Sequence, residues 1–125
     1  MTCAVQGSQT VEVQQGETVT LQLSVVDTDG NPVDLATTTV WFTVRRRPGD
    51  ARLLIQKDSS DIAEVEILSP TADGIANIML VHDDTKNLRP DTYAFDAWIA
   101  YPGGAVHPVI EPSPFIVTPT VTTFA

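Results

Sequence analysis

The 125-residue chain has a single cysteine, Cys3, and no long apolar run. One cysteine cannot form an intrachain disulfide, which excludes a disulfide-bonded scaffold and indicates synthesis in a reducing cytoplasm. No apolar stretch approaches the roughly 20 residues that a membrane-spanning helix needs. The opening segment MTCAVQGSQT has neither a basic region nor an apolar core, so we expect no signal peptide there.

Basic residues are also scarce, because seven of them face sixteen acidic residues and give a formal net charge of -9. Such a chain is repelled by phosphate backbones and anionic lipids, so we predict neither nucleic-acid nor membrane binding. The bases are unevenly spread, and we expect one side of the molecule to be basic. Five of the seven lie within thirteen positions: Arg45, Arg46, Arg47, Arg52 and Lys57.

Long helical periodicity is missing too, and an alternation of apolar and polar residues with period two takes its place. Four segments alternate clearly and four shorter ones are strand candidates: TVTLQLSVV, TVWFTVR, GIANIMLV and TYAFDAWIAY, then RLLIQK, AEVEIL, AVHPVI and FIVTP. The segment HDDTKNLRPD breaks the alternation and predicts one helical turn, capped by Asp83 or Asp84, that ends before Pro90. Seven or eight short strands at this spacing predict an all-β sandwich or barrel.

The segment LRPDTY decides between these two architectures. A tyrosine that enters a long strand after a leucine and a short turn is typical of the tyrosine corner of immunoglobulin-like sandwiches, and Tyr93 occupies that place. We therefore predict an immunoglobulin-like antiparallel β-sandwich over residues 9–118. A flexible N-terminus, 1–8, and an extended C-terminal tail, 119–125, complete the predicted organisation.

Four segments carry a likeness to a known family, in this order: QQGETVTLQLSVVDTDGNPVDL, TVWFTVRR, DDTKNLRPDTYAFDAWIAYPGG and PFIVTPTVT. Through them the chain resembles the immunoglobulin-like structural modules of tailed-phage virions, of the type found in the N-terminal domain of the upper baseplate protein. The shared features are a Gln-Gly-x-Thr opening, an Asp-Gly-x-Pro-x-Asp-Leu turn, an aromatic-Thr-Val-Arg strand and a tyrosine corner. The resemblance covers Gln14 to Thr122, and Asp91 stands where the family pattern usually has glycine.

This resemblance implies a non-enzymatic virion component of the baseplate or tail, or a capsid decoration protein. It implies other virion proteins and further copies of the chain as partners, with a homo-oligomer in the particle. The chain would be made in the cytoplasm of the bacterial host. The resemblance carries over no catalytic residues, and we expect no cofactor and no metal.

Two groups of residues resemble the beginnings of metal or acid–base sites. Asp27 to Asn31 begins like a calcium loop, but Thr38 stands where such a loop needs a bidentate glutamate, so we expect a plain turn. His82 with its following aspartates has only His107 as a second histidine, on a different predicted strand. We therefore expect a solvent-exposed strand end at His82, beside a helix cap.

Trp41 and Trp98 lie on the strand faces opposite the main apolar register. They are either buried between two sheets or exposed as a patch for a neighbouring protein. If exposed, they also suit an alternative function as a carbohydrate- or host-surface-binding module, with Trp41, Trp98 and Tyr101 stacking on a sugar.

The predicted assembly interface is a basic strip that accompanies Trp98: Arg45, Arg47, Arg52 and Lys57. Alternation sends Arg45 and Arg47 to one face and Arg46 to the other. The alternative is that these are solvated charges at a strand end, which contribute little. The proline-rich segment from His107 onwards predicts an edge strand, or an arm that adds a strand to a neighbour.

Overall fold

The computed structural model describes residues 9–122. Eight strands make up the fold: β1 (Val11–Gln14), β2 (Val19–Ser24), β3 (Thr39–Arg45), β4 (Ile55–Asp58), β5 (Val65–Ile67), β6 (Ile75–Leu80), β7 (Asp91–Ala100) and β8 (Val106–Thr118). A 3-10 turn (Thr71–Asp73) and one short helix, α1 (His82–Thr85), complete it. Neither helical segment of this part of the chain has the length and hydrophobicity needed to cross a membrane.

Some predictions concern residues beyond this range. The predicted flexible N-terminus, 1–8, which contains Cys3, lies outside the described residues. So do residues 123–125 of the predicted tail. Residues 119–122 follow β8 without belonging to a strand.

The strands form two sheets, one in the order β1-β8-β7-β3-β4 and the other in the order β2-β6-β5. These orders correspond to the G-F-C-C′ and B-E-D strands of an immunoglobulin domain, with β1 added beside the G strand. The predicted immunoglobulin-like sandwich of seven or eight strands is confirmed. One pairing departs from the predicted antiparallel arrangement, because β1 runs parallel to β8 with Val11 opposite Phe115.

The core follows from the alternation in β3, β7 and β8. In β3, residues Val40, Phe42 and Val44 are buried while the intervening residues are half-buried. Phe42 lies 5.5 Å from Phe95 and 6.4 Å from Phe115, measured between ring centroids. Each of these three buried rings stabilises the fold by about 1.5–3 kcal/mol relative to an exposed position.

Tyr93 forms the tyrosine corner at the start of β7, just after α1. Its hydroxyl donates to the carbonyl oxygen of Arg89 at 2.7 Å, four residues upstream. Asp91, which replaces the usual glycine, accepts from the backbone N–H of Thr92 at 2.8 Å. The aspartate is thus accommodated at the turn, and the tyrosine contact is retained.

The proline-rich segment is one long strand instead of two. AVHPVI and FIVTP both fall within β8, which pairs with β7 along most of its length. β1 pairs only with Phe115–Thr118, so Pro108, Pro112 and Pro114 lie where β8 has a single neighbour among residues 9–122. Proline is tolerated there because no second strand needs its missing N–H donor. Residues 106–118 belong to the sandwich itself, which corresponds to the edge-strand alternative and not to the arm.

Candidate interaction surface

The outer face of the five-stranded sheet is the face turned away from the second sheet. Trp41 of β3 and Trp98 of β7 stand directly opposite each other in the register of these strands. Their neighbours Val40 and Ile99 face the core, so both indoles point outward. Trp98 is 38% exposed, which corresponds to the exposed alternative, whereas Trp41 is half-buried on the same face.

Hydrogen bonds fix Trp98 and two polar side chains near it. The Trp98 indole Nε1 donates to the Asp96 Oδ2 at 3.1 Å. Gln56 Nε2 donates to Thr43 Oγ1 at 3.4 Å on the neighbouring strand. These side chains and the two tryptophans line a shallow depression of about 340 Å³, which extends to Val106. It combines flat aromatic surface with positioned hydrogen-bonding groups.

Arg45 and Arg47 extend the outer face towards one end of the sandwich. Both line a cavity of about 160 Å³ together with Asp96 and Pro112. Arg45 also donates from Nη1 to the carbonyl oxygen of Asp50 at 2.8 Å, which fixes the turn after β3. Of the predicted interface residues, Arg45, Arg47 and Trp98 therefore share one surface.

Arg52 lies elsewhere, so its assignment to the same strip is wrong. It lines a recess of about 300 Å³ with Arg46 and Arg89, and the apolar part of that recess includes Leu54 and Leu88. We call this the basic recess. The Arg46 side chain points to the opposite face from those of Arg45 and Arg47, as alternation along an extended strand requires.

Two contacts fix Arg46 in the basic recess. Its Nη2 lies 3.0 Å from Asp91 Oδ2 in an exposed ion pair. Its guanidinium also lies 5.8 Å from the centroid of the Tyr93 ring. Arg89 was not predicted to join the other arginines, because it lies far from them in the sequence. The available signal was the tyrosine corner, because its hydrogen bond holds the Arg89 backbone beside Tyr93.

Lys57 was predicted to complete the basic strip, and this prediction is wrong. Its side chain faces inward with Ile55, because β4 alternates between buried and more exposed residues. The Lys57 Nζ lies 2.9 Å from Asp84 Oδ2, and only 10% of the Lys57 side chain is exposed. A buried and paired ammonium group is not available to a neighbouring protein.

Asp84 has a second contact that explains its position. Its carboxylate accepts from the backbone N–H of Val81 at 2.8 Å, at the start of α1. This is a capping role, as predicted for one of the two aspartates. Asp83 instead forms an exposed ion pair with Lys86 at 3.0 Å.

The predicted plain turn at Asp27 to Asn31 has the corresponding geometry. Asp27 Oδ1 accepts from the backbone N–H groups of Asp29 at 2.9 Å and Asn31 at 3.0 Å. This carboxylate is therefore used within its own turn. Across residues 9–122, no group of three or more His, Cys, Asp or Glu side chains is arranged to hold a metal ion.

The two histidines do not converge. His82 begins α1, and its Nδ1 lies 2.7 Å from the carbonyl oxygen of Gly16, so the predicted exposed strand end is in fact a half-buried contact. His107 lies near the opposite end of the sheet, where it pairs with Ile99 and packs against Tyr101 at 5.7 Å. Tyr101 packs against the core, which reduces the predicted sugar-stacking set to the tryptophan pair.

Three exposed aspartates have a lowered pKa. The pKa of Asp34 is lowered chiefly by the hydrogen bond from the Ala36 N–H. Lys86 lowers the pKa of Asp83. The Thr92 N–H, and then Arg46, lower the pKa of Asp91.

No family model matches the sequence, and no curated protein matches it. Among solved structures, the chain is similar to a marsupial T cell receptor, at 16% sequence identity and a TM-score of 0.47. The similarity covers 93% of this chain and 51% of that receptor chain, so this chain spans about half of its length. The immunoglobulin-like assignment itself rests on the strand order and on the tyrosine corner.

Proposed function

We propose that this chain is a non-enzymatic structural protein of a tailed-phage virion, in the baseplate or tail or on the capsid. It is made in the bacterial cytoplasm and acts by binding other virion proteins and further copies of itself. The sequence resemblance supports the virion context, and the immunoglobulin-like fold is compatible with it. The observation that carries the proposed mode of action is the Trp41–Trp98 pair on the outer face, in which Trp98 is exposed and Trp41 is half-buried.

The chemistry of the outer face suits contact with another protein. Tryptophan, tyrosine and arginine are enriched among the residues that dominate binding energy, and Trp98 lines the depression on this face together with Arg45. Val106 adds exposed apolar surface, at 57% exposure. The Trp98 side chain is already fixed by its hydrogen bond to Asp96, so little side-chain entropy is lost on binding.

Replacement of Trp98 by alanine tests the proposed function. Removing the indole should weaken binding to the partner by about tenfold or more, because an interface tryptophan typically contributes at least about 1.4 kcal/mol. Phage particles grown with a tagged Trp98→Ala chain should contain correspondingly less of it than particles grown with the wild-type chain. Quantitative mass spectrometry of purified particles gives this ratio.

Ile62→Ala is the matched control, because Ile62 is 69% exposed but follows β4 outside the outer face. It should enter particles at the wild-type level. A wild-type chain that is missing from purified particles would overturn the virion assignment. Normal incorporation of Trp98→Ala would overturn the role of the outer face.

The same tryptophan pair favours a second candidate, a carbohydrate-binding module. Adjacent indoles flanked by Asp96 and Gln56 offer both stacking surface and hydrogen-bond partners to a sugar ring. Wild-type protein should then bind specific oligosaccharides on a glycan array, and Trp98→Ala should lose them. An array without any bound glycan removes this candidate.

A further inference from the structure

The basic residues lie at one end of the sandwich, where Asp50, Asp83 and Asp91 accompany them. The end formed by the β3–β4 turn, by α1 and by the start of β7 carries every basic residue except the buried Lys57: the half-buried Arg45 and the exposed Arg46, Arg47, Arg52, Lys86 and Arg89. The opposite end is formed by the loop between β2 and β3, the 3-10 turn and the β7–β8 hairpin. It has no lysine or arginine, because residues 1–44, 58–85 and 90–125 contain none.

Asp50 also lines the basic recess, where its Oδ1 accepts from the backbone N–H of Arg52 at 3.0 Å. Two guanidinium groups of the recess still have no ion-pair partner among residues 9–122. The ion pairs among residues 9–122 engage Arg46, Lys57 and Lys86, which leaves Arg52 and Arg89 without one. Both line the same recess, beside the apolar surface of Leu54 and Leu88. A guanidinium group binds a carboxylate through two parallel hydrogen bonds, so this recess is suited to acidic side chains.

The opposite end presents aspartates on a well-fixed loop. The N–H of Val25 donates to the carbonyl oxygen of Gly74 at 2.8 Å, and that of Leu35 donates to Thr71 at 3.0 Å, so the β2–β3 loop and the 3-10 turn are joined. Together they present four acidic residues, which we call the acidic end: Asp27, Asp29, Asp34 and Asp73. Asp27 and Asp34 are used within their own turns, while Asp29 and Asp73 are exposed.

The two ends are far enough apart to act independently. β7 alone has ten residues. At roughly 3.3 Å per residue, it spans about 33 Å. Electrostatic interactions are screened over about 8 Å at physiological ionic strength, so the acidic end does not neutralise the basic recess of its own chain.

We propose that copies of this chain associate head to tail, with the acidic end of one copy against the basic recess of the next. This inference rests on the proposed assembly function and names a second copy as a partner. The contact joins two different surfaces, so repetition produces a ring if the rotation closes and a filament if it does not. Contact between opposite ends brings unlike charges together despite the net charge of -9 that each copy carries.

Two neutralising double variants test this arrangement. Arg52→Gln with Arg89→Gln disables the basic recess, and Asp29→Asn with Asp73→Asn disables the acidic end. Sedimentation velocity at about 0.1 M salt should show oligomers of the wild-type chain, since screening then reaches only about 10 Å. Each double variant alone should self-associate at least about tenfold more weakly. At about 1 M salt, where screening reaches about 3 Å, the wild-type chain should dissociate.

A mixture of the two variants is the decisive measurement. Each retains one functional end, so an equimolar mixture should form a 1:1 dimer and nothing larger. Glu12→Gln with Glu111→Gln is the matched control, because it changes the net charge as much as the acidic-end variant but lies on β1 and β8. That control should assemble like the wild type. Thermal melts of all variants show whether the fold is retained.

A monomeric wild-type chain at about 0.1 M salt would overturn the proposal, as would a mixture that forms no dimer or grows beyond it. Wild-type assembly by either double variant would also overturn it. The virion role fails separately. A chain found in particles but monomeric in solution rejects only head-to-tail association, whereas a self-associating chain missing from particles rejects the virion role.

Discussion

Lys57 shows how the strand alternation overrides a charge-based prediction. Its position in the sequence groups it with the arginines, but β4 places it on the inner side next to Ile55. Burial of an ammonium group is unfavourable unless a counter-charge and hydrogen bonds offset it. Asp84 supplies that counter-charge from α1 at 2.9 Å, and the pair thereby links the helix to the five-stranded sheet.

Replacement of Lys57 by alanine should lower the free energy of unfolding by about 3 kcal/mol. The Asp84 carboxylate is largely shielded from water, and the substitution removes the cation that compensates its charge. Urea denaturation monitored by circular dichroism measures the change. Lys86→Ala is the control, since the Lys86–Asp83 pair is exposed and should contribute less than about 1 kcal/mol. Equal effects of the two substitutions would contradict this account of the buried pair.

The loop elements of the acidic end depend on Gly74. This glycine has a φ of 67° and follows the 3-10 turn. A Cβ atom there would lie 2.6 Å from the carbonyl oxygen of Val25 and 2.8 Å from that of Val33, which are both backbone atoms. The close approach of two backbone segments, and not only the positive φ, therefore requires glycine.

Gly74→Ala should consequently destabilise the fold more than Gly30→Ala does. Gly30 also has a positive φ, of 84°, but a Cβ atom there would meet nothing within 4 Å. We expect about 1–2 kcal/mol for the left-handed conformation alone at Gly30, and at least about 3 kcal/mol at Gly74, where the clash adds to it. Thermal melts of the two variants provide the comparison, and similar losses would show that the loop can move apart at Gly74.

The two parts of β8 differ in the number of strands beside them. Its last four residues lie between β1 and β7, while its earlier residues have β7 alone beside them in the described part of the chain. The register shifts around Ala97 fall in the second region. The prolines are thus confined to a part of the strand where neither a full ladder nor regular pairing is needed.

Across the domain, carboxylates stabilise the folded state in a way that depends on pH. The folded-state pKa values of Asp34, Asp83 and Asp91 are lowered, by the Ala36 N–H, by Lys86 and by the Thr92 N–H, respectively. A carboxyl with a lowered folded-state pKa stabilises the fold when the pH is above its unfolded-state pKa. That contribution is lost as the pH falls through the folded-state pKa.

The melting temperature should therefore change little from about pH 7 to pH 5 and fall below about pH 4, near the unfolded-state pKa of aspartate. Differential scanning calorimetry across this range measures the trend. Asp91→Asn removes one of the three contributions. The melting temperature of this variant should therefore fall less steeply than that of the wild type as the pH is lowered. A profile that stays flat to about pH 2, or an Asp91→Asn profile parallel to that of the wild type, would contradict the assignment.

Much of the fold follows from local patterns in the sequence. The alternation in TVWFTVR predicts β3 with the same bounds, and Phe42 is buried as that alternation indicates. The tyrosine corner follows from LRPDTY, because its hydrogen bond spans only four residues. β1 was not predicted, because VEVQ is too short to show an alternation and is stabilised by its parallel pairing with β8.

Long-range packing decided the surfaces. Alternation fixes which residues share a face of one strand, so it separates Arg46 from Arg45 and Arg47 and turns Trp98 outward. It does not show which strands become neighbours, and only the β3–β7 register places Trp41 opposite Trp98. In the same way, Arg46 and Arg89 lie 43 positions apart in the sequence but line one recess. Asp84 of α1 likewise reaches Lys57 of β4. The sequence pattern specifies faces because side-chain direction is local, whereas clusters of charge and aromatic surface depend on contacts between distant segments.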